Sequence, residues 1–97
     1  MLKALILRKK IDAAQKALEA LRAKDADFAT REAELEKSIE EAAALEEGEE
    51  KAEAQKAVEE EVDKFDTEKK ENDAEKEKLE NSIAEMEKEL NLFVIFI

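Results

Sequence analysis

The sequence contains no cysteine, histidine, proline, tryptophan or tyrosine, and it has one glycine in 97 residues. Without cysteine the chain can form neither a disulfide nor a thiolate metal site, and without histidine it lacks the commonest general base. Proline and glycine are the residues that most often interrupt helices, so a mixed fold rich in turns is not expected. These absences predict a protein that is not an enzyme and that carries no cofactor and no metal.

Long hydrophobic runs and a secretory signal are missing as well. No stretch approaches the roughly 20 apolar residues of a membrane span. The apolar segment Met1–Leu7 runs directly into Arg8-Lys9-Lys10 without a cleavage site. The sequence therefore predicts no membrane span, and the missing cysteines fit a reducing compartment.

Acidic residues outnumber basic ones, 28 to 17, which gives a net charge of −11. A nucleic-acid-binding protein needs the opposite balance because Lys and Arg make the phosphate contacts, so no nucleic acid is expected as a partner. The balance changes along the chain: residues 1–24 hold seven basic and two acidic side chains, and residues 73–97 hold three basic and seven acidic. Antiparallel pairing of these two segments would bring opposite charges together.

The chain is rich in Ala, Glu, Lys and Leu, which are strong helix formers, and they are arranged in heptads. At alternating steps of three and four residues, most positions are apolar from Ala4 to Ala42 and again from Gln55 to Phe93. This spacing is typical of the a and d positions of a coiled coil. It predicts an all-α protein built as a long antiparallel helical hairpin. The predicted oligomer seam consists of Leu7, Ile11, Leu18, Leu21, Phe28, Leu35, Ile39, Val58, Val62, Phe65, Leu79, Ile83, Met86 and Leu90.

A short acidic segment with the only glycine separates the two heptad stretches. Gly48 lies between two pairs of glutamates, and glycine commonly follows the end of a helix. The sequence therefore predicts a first helix over residues 1–47, an acidic turn at 48–50, a second helix over 51–91 and a separate apolar tail at 92–97. Two uninterrupted helices in an extended antiparallel dimer would satisfy the same seam. The hairpin is favoured because closing so short a loop costs little entropy.

Antiparallel pairing of the seams places Leu18 against Leu79, Phe28 against Lys69 and Leu35 against Val62. In this register Asp25 faces Asn72, with a lysine one turn to either side. In a parallel dimer each charge would face its own copy, which is destabilising. Polar residues within a seam usually fix register and partner choice at some cost in stability. We interpret five residues as register-specifying and partner-specifying: Asp25, Glu32, Lys69, Asn72 and Lys76.

The segment after Asn91 departs from the heptad. Six apolar residues with high β-propensity and no charge follow an otherwise charged chain. They are either a truncated or frame-shifted end, or a docking patch for another copy or a partner. The possible docking patch is Leu92, Phe93, Val94, Ile95, Phe96 and Ile97.

A two-helix seam of this length buries a modest area, and small scaffolds usually need association to be stable. Four further apolar residues, Leu5, Ala13, Ala17 and Ala20, flank the seam of the first helix and could widen its apolar face. The sequence therefore predicts a homo-oligomer, either a dimer or a four-helix arrangement.

Several stretches of the chain carry a family resemblance: Ala4–Asp12, Lys16–Arg22 and Arg31–Glu36 in the first helix, and Lys56–Val62 and Leu79–Leu90 in the second. Through them, residues 2–90 resemble the N-terminal coiled-coil region, called the delta or scaffolding domain, of tailed-bacteriophage major capsid proteins of the Hong Kong 97 type.

The resemblance implies a structural module that guides phage procapsid assembly through coiled-coil self-association, in the bacterial host cytoplasm and inside the procapsid. Its implied partners are other copies and phage capsid protein. In that family a shell-forming domain follows, which this sequence does not contain, so the chain is an excised or truncated scaffolding region or a free-standing relative. The alternative is a free-standing coiled-coil binding or regulatory protein. It would capture a partner helix, for example to interfere with capsid assembly, or dock by its apolar end.

Overall fold

The computed structural model describes residues 2–95 as two long helices joined by a short turn. Helix α1 spans Leu2–Ala43 and contains 42 residues, and helix α2 spans Glu49–Ile95 and contains 47 residues. No strand occurs within the described range. The predicted all-α helical hairpin is therefore confirmed. Met1, Phe96 and Ile97 lie outside the described residues, and the last two belong to the predicted docking patch.

The turn occupies residues 44–48 and so begins earlier than the predicted turn at 48–50. The Ala44 amide still donates to the Glu40 carbonyl (3.0 Å), and the Ala52 amide donates to the Gly48 carbonyl (3.2 Å) to open α2. The helix dipole favours the start of α2, because Glu49 and Glu50 lie in its first turn. It does not account for the end of α1 at Ala43, since Glu40 and Glu41 lie in the last turn of that helix.

The second helix also continues beyond its predicted end at residue 91. Leu92 through Ile95 are helical, although this segment has high β-propensity. Propensity is a weak preference that helical context overrides, and no glycine or proline stops the helix here. The predicted separate tail is therefore, as far as Ile95, the last turn of α2.

The first of two compact units contains α1 up to Ala23 and α2 from Asn72 onward. Because α1 begins here and α2 ends here, the two segments run antiparallel. Seam residues from both helices form its core: Ile11, Leu18 and Ile83 are buried, with Ala14, Leu79, Met86 and Leu90 packed against them. The seam predicted for these segments is thus an intramolecular core.

The second unit spans Lys24–Glu71 and includes the turn. Phe28, Ala42 and Phe65 are its buried apolar residues. The two phenylalanine rings meet edge to face, with centroids 5.8 Å apart and an interplanar angle of 75°. The predicted register placed Phe28 against Lys69, one helical turn from this aromatic contact.

Two predicted seam positions of the second unit lie elsewhere. Glu32 is exposed and Ile39 is 47% exposed, whereas Arg31 and Ser38, one residue earlier in each case, are half-buried. The seam steps by three residues after Phe28 because Arg31 covers the aromatic pair, as described below. Facing a carboxylate toward this apolar layer without a partner would cost desolvation energy, so Glu32 turns to water.

The hairpin buries little of its surface. No described side chain is completely buried. The chain exposes 7780 Å², whereas a compact monomer of its mass, 11.0 kDa, exposes about 5,600 Å². A single layer of contacts between two helices leaves most of each helix in contact with solvent.

Candidate association surface

Asn72 is the buried polar residue in the core of the first unit. It is 5% exposed, and its amide Nδ2 donates to the Leu21 carbonyl of α1 at 3.3 Å. That carbonyl belongs to the helical backbone and can accept a second hydrogen bond, because a carbonyl oxygen carries two lone pairs. The bond fixes Asn72 of α2 beside Leu21 of α1, and a shift of one helical turn between the two helices would break it. This geometry is what a register-specifying residue requires.

Lys76 lies one turn further along α2 and is largely covered by its surroundings. Its side chain is 17% exposed, and its ammonium group lies 3.1 Å from the Asp73 carboxylate on the same helix. The lysine stem covers apolar surface while the charged group stays paired. Its role in partner choice remains a prediction.

Arg31 contacts the aromatic pair and α2 in the second unit, although the heptad pattern did not identify it as a seam residue. Its guanidinium carbon lies 5.6 Å from the centroid of the Phe28 ring and 5.4 Å from that of the Phe65 ring. The same group forms an ion pair with Glu68 on α2. One side chain therefore contacts both helices through a cation–π pair and a charged hydrogen bond. The spacing Phe28-x-x-Arg31 was the signal, since residues three apart share a helix face.

The remaining predicted polar seam residues divide into two groups. Asp25 and Lys69 are half-buried in the second unit, as expected for seam positions. Glu32 is exposed and is replaced at the seam by Arg31. Their role in specifying partners stays a prediction.

Several apolar residues of α1 are exposed beside the core. Leu5 is 52% exposed, and Ala13, Ala17 and Ala20 are all exposed. The three alanines recur at steps of four and three, so they lie on one helix face. We call them the alanine face. The hairpin does not use this face, which leaves it available to another helix.

The two helices of the first unit carry opposite charge, and part of it is paired within the chain. Arg22 reaches Glu80 across the helices at 3.5 Å, and Lys16 lies 3.4 Å from Asp12 on α1. Other basic side chains of this α1 segment are exposed: Lys3, Arg8, Lys9 and Lys10. In the first unit, α1 is therefore a basic surface beside the acidic surface of α2.

The acidic turn has the character of a solvated surface. Its glutamates are exposed, and Glu47 forms an i,i+4 pair with Lys51 at 2.8 Å. Among the described residues there is no group of three or more acidic, histidine or cysteine side chains placed to hold a metal. Three hydroxyls elsewhere, those of Thr30, Ser38 and Thr67, donate to carbonyls four residues back on their own helices.

Comparisons of the chain with protein-family models, with curated proteins and with solved structures gave no match. Within residues 2–95, neither helix contains a stretch long and apolar enough to cross a bilayer. The surfaces on the described chain are helix faces with apolar and charged stripes. Their chemistry is suited to contacts between helices.

Proposed function

We propose that this chain is a non-catalytic assembly module whose hairpin associates with further copies through the outer surface of α1. The observation that supports the proposal most directly is the alanine face, Ala13, Ala17 and Ala20, which is exposed although it lies beside the packed core. Small side chains let two helices approach closely. Association would cover exposed apolar side chains of α1, which favours it, and small scaffolds usually need such contacts to be stable.

Charge selects the orientation of the second copy. The α1 segment of the first unit is basic and the α2 segment is acidic. Contact between two α1 segments would oppose basic side chains, whereas contact of α1 with α2 of another copy pairs opposite charges. A two-fold axis repeats that contact twice, which gives a four-helix arrangement.

On the resemblance described above, we further propose that the assembly is a phage procapsid and that the association guides capsid protein inside it. The helical hairpin is compatible with this role. A reading frame that continues into a shell-forming domain, or neighbouring genes for a portal, a maturation protease and a terminase, would support the capsid role. If the neighbouring genes are unrelated to phage capsids, the proposal of an assembly module would stand without the capsid role.

Sedimentation and light scattering test the association. We expect a dimer or tetramer at micromolar concentration, and at least about tenfold weaker association when Ala13 and Ala17 are both changed to Gln. Glutamine is bulkier and uncharged, and its helix propensity is high. The matched control changes Ala29 and Ala33 to Gln, because these alanines are also exposed on α1 four residues apart. A compact monomer across the micromolar range, or equal effects of the two pairs, would contradict the proposal.

A further inference from the structure

The exposed large apolar side chains of the hairpin concentrate at one end of the first unit. Leu2 is 77% exposed, Leu5 52% and Ile6 53% at the start of α1, and Leu92 is 54% exposed in the last turn of α2. We call these four residues the apolar cap. Elsewhere in the described chain only Ile39 and Leu45 are comparable. A cluster of this kind, in contact with water, marks a binding surface.

Basic side chains lie within and just after the apolar cap along α1. Lys3, Arg8, Lys9 and Lys10 are all exposed. Lys3 lies within the cap, and we call Arg8, Lys9 and Lys10 the basic collar. Among residues 2–11 and 88–95 there are five basic side chains and a single acidic one, Glu89. The end of the hairpin is therefore strongly positive, although the whole chain has a net charge of −11.

We propose that this end docks on an anionic bilayer surface, with the apolar cap inserted among the lipids and the basic side chains at the headgroups. Charge complementarity identifies the occupant. A positive collar next to exposed leucine and isoleucine is the combination that binds membranes containing anionic lipid. This inference concerns a different surface from the alanine face and does not depend on the proposed function.

The distances along α1 fit such an insertion. Leu2 to Ile6 spans about 6 Å and Arg8 to Lys10 lies about 9–12 Å from Leu2, at 1.5 Å per residue. Helices that bind bilayer interfaces bury their apolar residues about 5–10 Å deep. The cap thus reaches the acyl boundary while the collar stays level with the phosphates, and the long basic side chains extend toward them. This is peripheral docking and needs no membrane-spanning segment.

Two protein partners fit the same end less well. A second copy that met it end to end would bring two basic collars together, which repel. The acidic turn of another copy has the right charge, but in the described chain it offers only Ile39 and Leu45 as large exposed apolar side chains nearby. A bilayer covers an apolar surface of any shape, so it does not require a complementary protein pocket.

Co-sedimentation with vesicles tests the proposal on the full chain. We expect binding to vesicles of phosphatidylglycerol and phosphatidylcholine in about equal parts, and at least tenfold weaker binding to phosphatidylcholine alone. Binding should also fall at about 1 M salt, where the Debye length is about 3 Å. Equal binding to both vesicle types, or none to either, would overturn the proposal.

Matched variants locate the contact. Changing Leu5 and Ile6 to Gln should weaken vesicle binding at least tenfold, whereas changing Ile39 and Leu45 to Gln should leave it unchanged. All four side chains are exposed, so circular dichroism should show the same helicity in both variants. Changing Lys9 and Lys10 to Gln should weaken binding to the anionic vesicles. If the Leu5/Ile6 variant instead lowers the mass of the particle in solution while vesicle binding is unchanged, the cap is a protein contact and the proposal is wrong.

Discussion

At the residue scale, the side chain that covers the Phe28–Phe65 pair is an arginine, whereas the heptad pattern predicted the neighbouring glutamate at this seam position. Arg31 lies over Phe28 and Phe65 and pairs with Glu68, whereas the predicted seam residue Glu32 is exposed. The heptad pattern records only the spacing of apolar residues. It does not indicate that the aliphatic stem and guanidinium of an arginine cover two aromatic rings better than a glutamate side chain does. In the first unit, where leucine and isoleucine fill the seam, the heptad pattern predicts it correctly. In the second unit the pattern does not predict that Arg31 and Ser38 take the places of Glu32 and Ile39.

Replacing Arg31 by Gln should lower the melting temperature. The variant loses a partly exposed ion pair and a partly exposed cation–π contact, which together are worth about 1 kcal/mol. For a chain of this length that corresponds to about 4–8 °C in a thermal melt followed by circular dichroism. Lys37→Gln is the control, since it removes the same charge from an exposed position of α1. Equal melting temperatures of the two variants at one protein concentration would show that Arg31 contributes nothing specific.

Asn72 provides a second test at this scale. Replacing it by Leu should raise the melting temperature, because a buried amide is exchanged for apolar volume and the Leu21 carbonyl keeps its place in the helical backbone. Register should become less well defined, which size-exclusion chromatography would reveal as a broader distribution of oligomers. Asn81→Leu, at an exposed position of the same helix, is the comparison. A lower melting temperature with one sharp oligomer would mean that Asn72 stabilises the core rather than selecting its register.

At the scale of the elements, the two helices were predicted from composition and period alone, but their ends were not. Strong helix formers without proline extend a helix until something stops it. Near Gly48 the charges favour the start of α2, because Glu49 and Glu50 lie in its first turn, whereas α1 ends at Ala43 although Glu40 and Glu41 lie in its last turn. Near Asn91 there was no stop at all, and α2 continues to Ile95. The heptad carries no information on either point.

The turn can be tested through its glycine. Gly48 has a φ of +154°, which side chains rarely adopt, and no atom lies within 4 Å of where a Cβ would be. Gly48→Ala should therefore destabilise the hairpin through the backbone alone, by about 1–3 kcal/mol. Urea unfolding measures the change, and Glu46→Ala in the same turn is the control that should be neutral or slightly stabilising. An unchanged midpoint for Gly48→Ala would mean that the turn relaxes to a conformation open to any residue.

At the scale of the whole molecule, charge can be counted from the sequence, but its placement needs the fold. The sequence placed Leu5 and the alanine face beside the seam, and the structure leaves them exposed. One layer of contact between two helices covers only a narrow stripe of each, so residues that flank the seam stay in contact with water. In the first unit, the exposed surface of α1 is apolar and mainly basic, and it carries both the association proposal and the membrane proposal.

Salt should act on stability and on membrane docking in opposite directions. The net charge of −11 repels itself, most strongly near the glutamates of the turn, and added salt screens that repulsion. The cross-helix pairs Arg22–Glu80 and Arg31–Glu68 are partly exposed, so their screening should cost less than is gained. We therefore expect the melting temperature to rise between low salt and about 0.5 M sodium chloride, while vesicle binding falls. Neutralising Glu41 and Glu46 to Gln, at and just after the C-terminus of α1, should raise the low-salt melting temperature and reduce its dependence on salt. A melting temperature that falls steadily with salt would mean that attractive pairs, and not the acidic excess, dominate the electrostatics of the hairpin.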